Sequence, residues 1–146
     1  MNRVELASRE EILYENYAKI VNIEALTMVE MACRDIIPAV TRYIKEVSDA
    51  ALSKVAFAPE TSVAMEKDTV CRLSELNEKA YALARKLAKL TAAAAEREGA
   101  RASAESYRDK VIPTMEALRE LVDEMETLTA SDAWPLPSYG DMTFGE

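Results

Sequence analysis

The chain has 146 residues, 49% of them hydrophobic and 30% charged, which is enough for one domain with its own core and too little for two comfortable ones. It has no histidine and three glycines, two of them in the last seven residues, so the body lacks a Gly-rich phosphate cradle, a His-containing metal site and a Ser-His-Asp or Cys-His catalytic group. A net charge of −8 disfavours a nucleic acid backbone as partner. No apolar run is long enough to span a membrane, and the N-terminus does not have the form of a secretory signal, so the expected setting is the cytoplasm.

From Arg9 to Ala56 the chain has no glycine and one proline, and Ile12, Leu13, Tyr17, Ile20, Ile23, Thr27 and Met31 recur at helical steps. Ser8 and Glu11 have the spacing of a capping box, which places the helix start at Arg9. Between Ile20 and Ala32 the apolar residues spread around most of the circumference, so the outer face requires cover from the same domain or from a partner. Glu24 and Thr27 lie in this band as candidate inter-helix hydrogen bonders or interface residues. Pro38 predicts a kink or short break over Arg34 to Ile37, after which helix resumes from Ala39. Residues 57–62 form the first connection, with Thr61 and Ser62 as N-caps.

Val63 to Glu98 is the most regular stretch: Leu73, Leu76, Ala80, Leu83, Leu87, Leu90 and Ala94 make an unbroken seam. Gly99 predicts a C-cap or turn. From Ser103 to Thr129 the rhythm repeats with Tyr107, Val111, Thr114, Leu118, Leu121, Met125 and Leu128, interrupted at Pro113. The two seams predict an antiparallel hairpin, with Lys79, Arg85, Lys86, Lys89, Arg97 and Arg101 facing Glu116, Glu120, Asp123, Glu124 and Glu126. The stretch Arg34 to Pro38 echoes Arg108 to Pro113, which predicts two kinked helices. The expected fold is therefore all-α, an antiparallel bundle of long, partly proline-kinked helices over residues 1–130, followed by an extended tail over 131–146. In that tail Trp134, Leu136, Tyr139, Met142 and Phe144 are candidate anchors, and Pro135 and Pro137 are candidate structural residues that stiffen the segment.

Cys33 and Cys71 are expected to be reduced core residues. The helical carboxylates lack the Glu-x-x-His partner of a di-iron bundle, and no Asp-rich calcium loop is present, so no metal or catalytic residue is assigned. Met28 and Met31 belong with Met65, Met115 and Met125 either to a core or to an adaptable binding face.

Glu15-Asn16-Tyr17-Ala18-Lys19, Ile23 to Met28, Met31-Ala32 and Asp35-Ile36-Ile37-Pro38-Ala39-Val40 resemble the carboxy-terminal region of type III glutamine synthetases. The ending Leu121-Val122-Asp123, Leu128-Thr129 and Trp134 to Phe144 resembles that family's closing segment in order and spacing. The resemblance implies a parent enzyme that joins ammonia to glutamate using ATP and a divalent metal such as magnesium, in stacked hexameric rings. Its catalytic β-grasp and barrel regions would precede Met1, so this chain would hold no cofactor and would not be catalytic by itself. The implied role is structural or oligomer-supporting, and the implied partners are the catalytic region and neighbouring subunits of a homo-oligomer. The alternative reading from the residues alone is a stand-alone helical adaptor that binds a protein partner through its Met-rich apolar face.

Overall fold

A computed structural model describes residues 2–137. Five α-helices account for most of them: α1 (Arg3–Met31), α2 (Ile37–Phe57), α3 (Ala64–Glu96), α4 (Ala100–Ser106) and α5 (Ile112–Leu128). Among the described residues there is no strand, as the periodicity requires. α1 begins six residues earlier than the capping-box spacing predicts. The side chain of Asn2 accepts the Glu5 N–H at 2.9 Å, so Asn2 is the cap and Ser8 lies inside the helix. An Asn at the first free turn satisfies the same orphan donors that Ser8 could have served. Nothing in the intervening sequence breaks a helix.

The two prolines act alike. α1 passes into α2 through a π-helical segment, Ala32–Ile36, and α4 passes into α5 through another, Tyr107–Val111. In both cases the π segment ends two residues before the proline, which is the second residue of the following α-helix. Pro38 cannot bond the carbonyl of Arg34, nor Pro113 that of Asp109, and each ring would clash there in regular α geometry. The wider π turn accommodates the ring without ending the helix. The expected short break at Arg34 to Ile37 is thus a widened turn in a continuous helical path, and the sequence echo has a structural counterpart.

The chain divides into two compact units. The first comprises residues up to 31 together with 82–119. Within it α4 runs antiparallel to the second half of α3, as the Ser103 Oγ bond to the Ala94 carbonyl at 2.7 Å shows, and α1 packs on α4. Gly99, with φ of 89°, opens α4 and makes the turn after α3. An L side chain at that φ would be strained, which explains a glycine here. The core includes Ala84, Leu87, Ala94, Ala104, Tyr107, Val111 and Leu118, all at most 4% exposed.

The second unit comprises residues 32–81 and the chain from 120 onward. α2 and the first half of α3 run antiparallel: Asn77 donates to the Thr41 hydroxyl at 3.1 Å, and Lys54 pairs with Glu66 at 2.6 Å. The end of α5 joins α3 through a two-pronged Arg72–Glu124 pair at 2.6 and 2.7 Å. Glu124 therefore finds an arginine earlier in α3 than the basic cluster expected to face it. Lys79 and Arg101 pair within their own helices, with Glu75 and Glu105. Leu73, Leu76, Ala80 and Met125 are fully buried, while Leu121 and Leu128 of the predicted seams are half-buried at their margins, as Leu83 and Leu90 are in the first unit. Since a three-four stripe is wider than the contact it makes, its flanks stay partly wet.

Candidate interaction surface

α1 is apolar on two opposite sides. The side turned to the first unit's core is made mainly of small residues: Val21 and Ala25 are buried and Ala18 is half-buried, with the larger Tyr14 half-buried one turn before Ala18. Small side chains let α1 approach the Ala-rich α4 closely. The opposite side carries the larger residues Ile12, Leu13, Ile20 and Ile23, exposed at 53, 67, 57 and 64%. The periodic set read from the sequence is thus the outward stripe and not the core face. Of the candidate residues in this band, Thr27 lies within the outward stripe and Glu24 beside it, both exposed, so neither is a buried polar group in need of an inter-helix partner. Met28 and Met31 are half-buried. Met115 and Met125 are core residues, and Met65 is exposed on α3, so these five methionines do not share one exposed face.

Within the first unit the main polar cluster joins α1 to the start of the second π segment. Tyr107, 2% exposed, donates its hydroxyl proton to Asn22 Oδ1 at 2.9 Å, and that hydroxyl lies 3.4 Å from the Thr91 carbonyl. Burial pushes the Tyr107 phenol above its ordinary range, so it remains a protonated donor at neutral pH. A cleft of about 320 Å³ between Lys19 and Ser103 opens beside this pair. The Tyr107–Asn22 bond was missed in the sequence because Tyr107 reads only as a seam residue, and nothing local in α1 marks Asn22 as its acceptor.

In the second unit Lys54 caps the buried Glu66, which is 6% exposed. The bond from Lys54 holds the Glu66 carboxyl below the usual carboxylate range, against the opposing effect of burial. Beside the pair lies an apolar groove of about 340 Å³ whose wall includes Leu52, Val55, Val63 and Val70. Pro38 is half-buried at the start of α2, where its place is explained by the helix junction. In the chain end Trp134 is half-buried, and its main-chain N–H donates to the Ala130 carbonyl at 3.1 Å, while Pro135 and Pro137 are exposed. Tyr139, Met142 and Phe144 lie outside the described residues. Neither cysteine is a core residue, for Cys33 is half-buried and Cys71 exposed. Apolar neighbours in the sequence did not fix which side of the helix each would occupy.

Among the described residues no three His, Cys, Asp or Glu side chains are gathered to hold a metal ion, and no helix is long and apolar enough to cross a membrane. A family model described as the glutamine synthetase C-terminal domain matches residues 1–55, the stretch formed by α1, the first π segment and most of α2. The chain is 33% identical over 143 residues to a glutamine synthetase of Butyrivibrio fibrisolvens, a match covering 96% of this chain and 20% of the relative. The chain belongs to the glutamine synthetase C-terminal domain family. A type-3 glutamine synthetase of Dictyostelium discoideum is 28% identical over 99% of the chain, and a glutamine synthetase of Bacteroides fragilis 27% over 98%. In each case the chain spans about a fifth of the relative's length, 20%.

Proposed function

We propose that this chain is the non-catalytic C-terminal helical domain of a type III glutamine synthetase, whose longer polypeptide joins ammonia to glutamate with ATP and a divalent metal. The observation that carries the reading is the match over nearly all of this chain to one fifth of proteins named glutamine synthetase. The residues support it from another side: the sequence has no histidine and no Gly-rich phosphate loop, so the chemistry of ATP and glutamate belongs to the rest of the polypeptide. The role of the domain is structural. It packs on the catalytic region and supports the assembly of neighbouring subunits into a cytoplasmic homo-oligomer.

The test compares three purified proteins: the 146-residue chain, the longer synthetase, and the synthetase with this domain deleted. The chain supplied with glutamate, ammonia, ATP and magnesium forms no glutamine above a no-protein control, and the intact synthetase does. Deletion lowers the oligomer mass or the thermal stability of the synthetase. Glutamine formation by the chain alone, or a deletion that changes neither mass nor stability, overturns the reading.

A further inference from the structure

We propose that the outward stripe of α1 is an intramolecular docking surface that seats on the polypeptide preceding α1 in the full-length synthetase. This rests on the reading above and goes one step further, to the face that makes the contact and to the occupant that covers it. Ile12, Asn16, Ile20, Ile23 and Thr27 succeed one another at steps of four, four, three and four, which places them in one line along the helix. That line itself contains no charge, and the charged residues Lys19 and Glu24 flank it, exposed, as a polar rim. All five residues are exposed, and the isoleucines expose more than half of their surface. The opposite side of α1 is already covered within its unit by α4. A helix apolar on both sides is one whose sequence requires cover on both sides.

Three observations identify the occupant. The relatives are about five times as long as this chain, since it covers 20% of each, and the matching family model is a C-terminal domain, so the remainder lies ahead of α1. The first helix to follow that remainder is also the one with the uncovered stripe. The size of the stripe argues for this tethered neighbour and against a pair of free copies. From Ile12 to Thr27 it is ~25 Å long and ~10 Å wide, by helix rise and diameter. A symmetric pair would therefore bury on the order of 500 Å² in total, well under the ~1,200 Å² of a stable protein interface. A segment joined covalently needs less area, because the tether supplies a high effective concentration and the translational cost of association is already met.

The experiment uses the full-length synthetase with Ile20→Asp and Ile23→Asp combined, and separately Ile20→Gln with Ile23→Gln as a milder pair. The readouts are the rate of limited proteolysis at the junction ahead of α1 and the oligomer mass. Docking in the same chain predicts that junction cleavage rises at least severalfold in the Asp pair and less in the Gln pair, at unchanged oligomer mass. Ile20→Val with Ile23→Val keeps the parental rate. Dissociation of the oligomer with the junction still protected would place the stripe between subunits and overturn the proposal, while leaving the assembly role intact. Unchanged cleavage and mass in both the Asp and Gln pairs would also overturn it. The broader reading fails separately, through the deletion experiment.

Discussion

Ile12, Ile20 and Ile23 on α1, at steps of eight and three, line one helix face just as Leu73, Leu76 and Leu87 on α3 do at steps of three and eleven, yet the first set is more than half exposed and the second fully buried. Both helices are specified equally well. What differs is the opposite face. On α3 the residues between the apolar positions are largely Lys, Glu, Arg and Asn, so only one side can enter the core. On α1 a second, smaller apolar set, Ala18, Val21 and Ala25, lies across the helix from the isoleucines, and this set faces the core. Close packing favours it, because alanines on α1 and α4 let the two backbones approach, whereas four large aliphatic side chains would hold them apart.

The comparison can be broken most forcefully from the buried side. Leu87→Asp or Leu118→Asp places a carboxylate where the leucine is fully buried, and either should cost ~3–5 kcal/mol in chemical denaturation of the 146-residue chain. Variants that unfold at the parental denaturant concentration would show that these positions are not core. Tyr107→Phe comes next. It removes the 2.9 Å bond to Asn22 and should cost ~0.5–1.5 kcal/mol, with the coupling to Asn22→Ala seen in a double-mutant cycle. Asn2→Ala, which removes the cap of α1, should cost ~0.5–2 kcal/mol if α1 is docked on α4 up to its start, and less if its first turn frays. The smallest effect is expected on the exposed stripe itself. In the 146-residue chain Ile20→Asp and Ile23→Asp should each shift stability by less than ~0.5 kcal/mol, in contrast to their consequence in the full-length protein.

Acid sharpens the comparison for the second unit. The Glu66 carboxyl is held below its ordinary value of 4.5 by the bond from Lys54, so its folded pKa lies below its unfolded one. Such a group contributes stability that is present above the unfolded pKa and is lost as pH falls through the folded pKa. The melting temperature of the chain should therefore decline below about pH 4.5, and Glu66→Gln should flatten that decline. An acid limb of equal slope in the variant would assign the loss to other carboxylates, of which Glu124 and Glu75 are similarly lowered by their arginine and lysine partners.

Much of the helical architecture was legible because its signals are local. Leu73 to Ala94 and Tyr107 to Met125 announce their seams through spacing alone, and each proline dictates a disturbance four residues upstream wherever the chain is placed. The connection read at 57–62 is legible for the same reason and lies one residue later, at 58–63, where the Ser62 hydroxyl accepts the Ala64 N–H that opens α3. The cap of α1 was misplaced because Asn2 and Ser8 are both competent caps, and a spacing rule cannot choose between two that nothing separates. The pairings of Lys54 with Glu66, Arg72 with Glu124 and Tyr107 with Asn22 were not legible, since the partners stand 12, 52 and 85 residues apart. Side-chain partners so distant in sequence are selected by helix register, which is a property of the packed core.

The sequence by itself determined that the chain is helical, where its helices are disturbed, and that its N-terminal helix has more apolar surface than one contact can cover. It also carried the glutamine synthetase resemblance, in two motifs at opposite ends. Only the tertiary structure decided which side of α1 faces the core and which is left outward. Periodicity measures the angle between side chains on one helix, but burial depends on what the neighbouring helix can admit, and here α4 admits alanine and valine while the isoleucines are left to face outward.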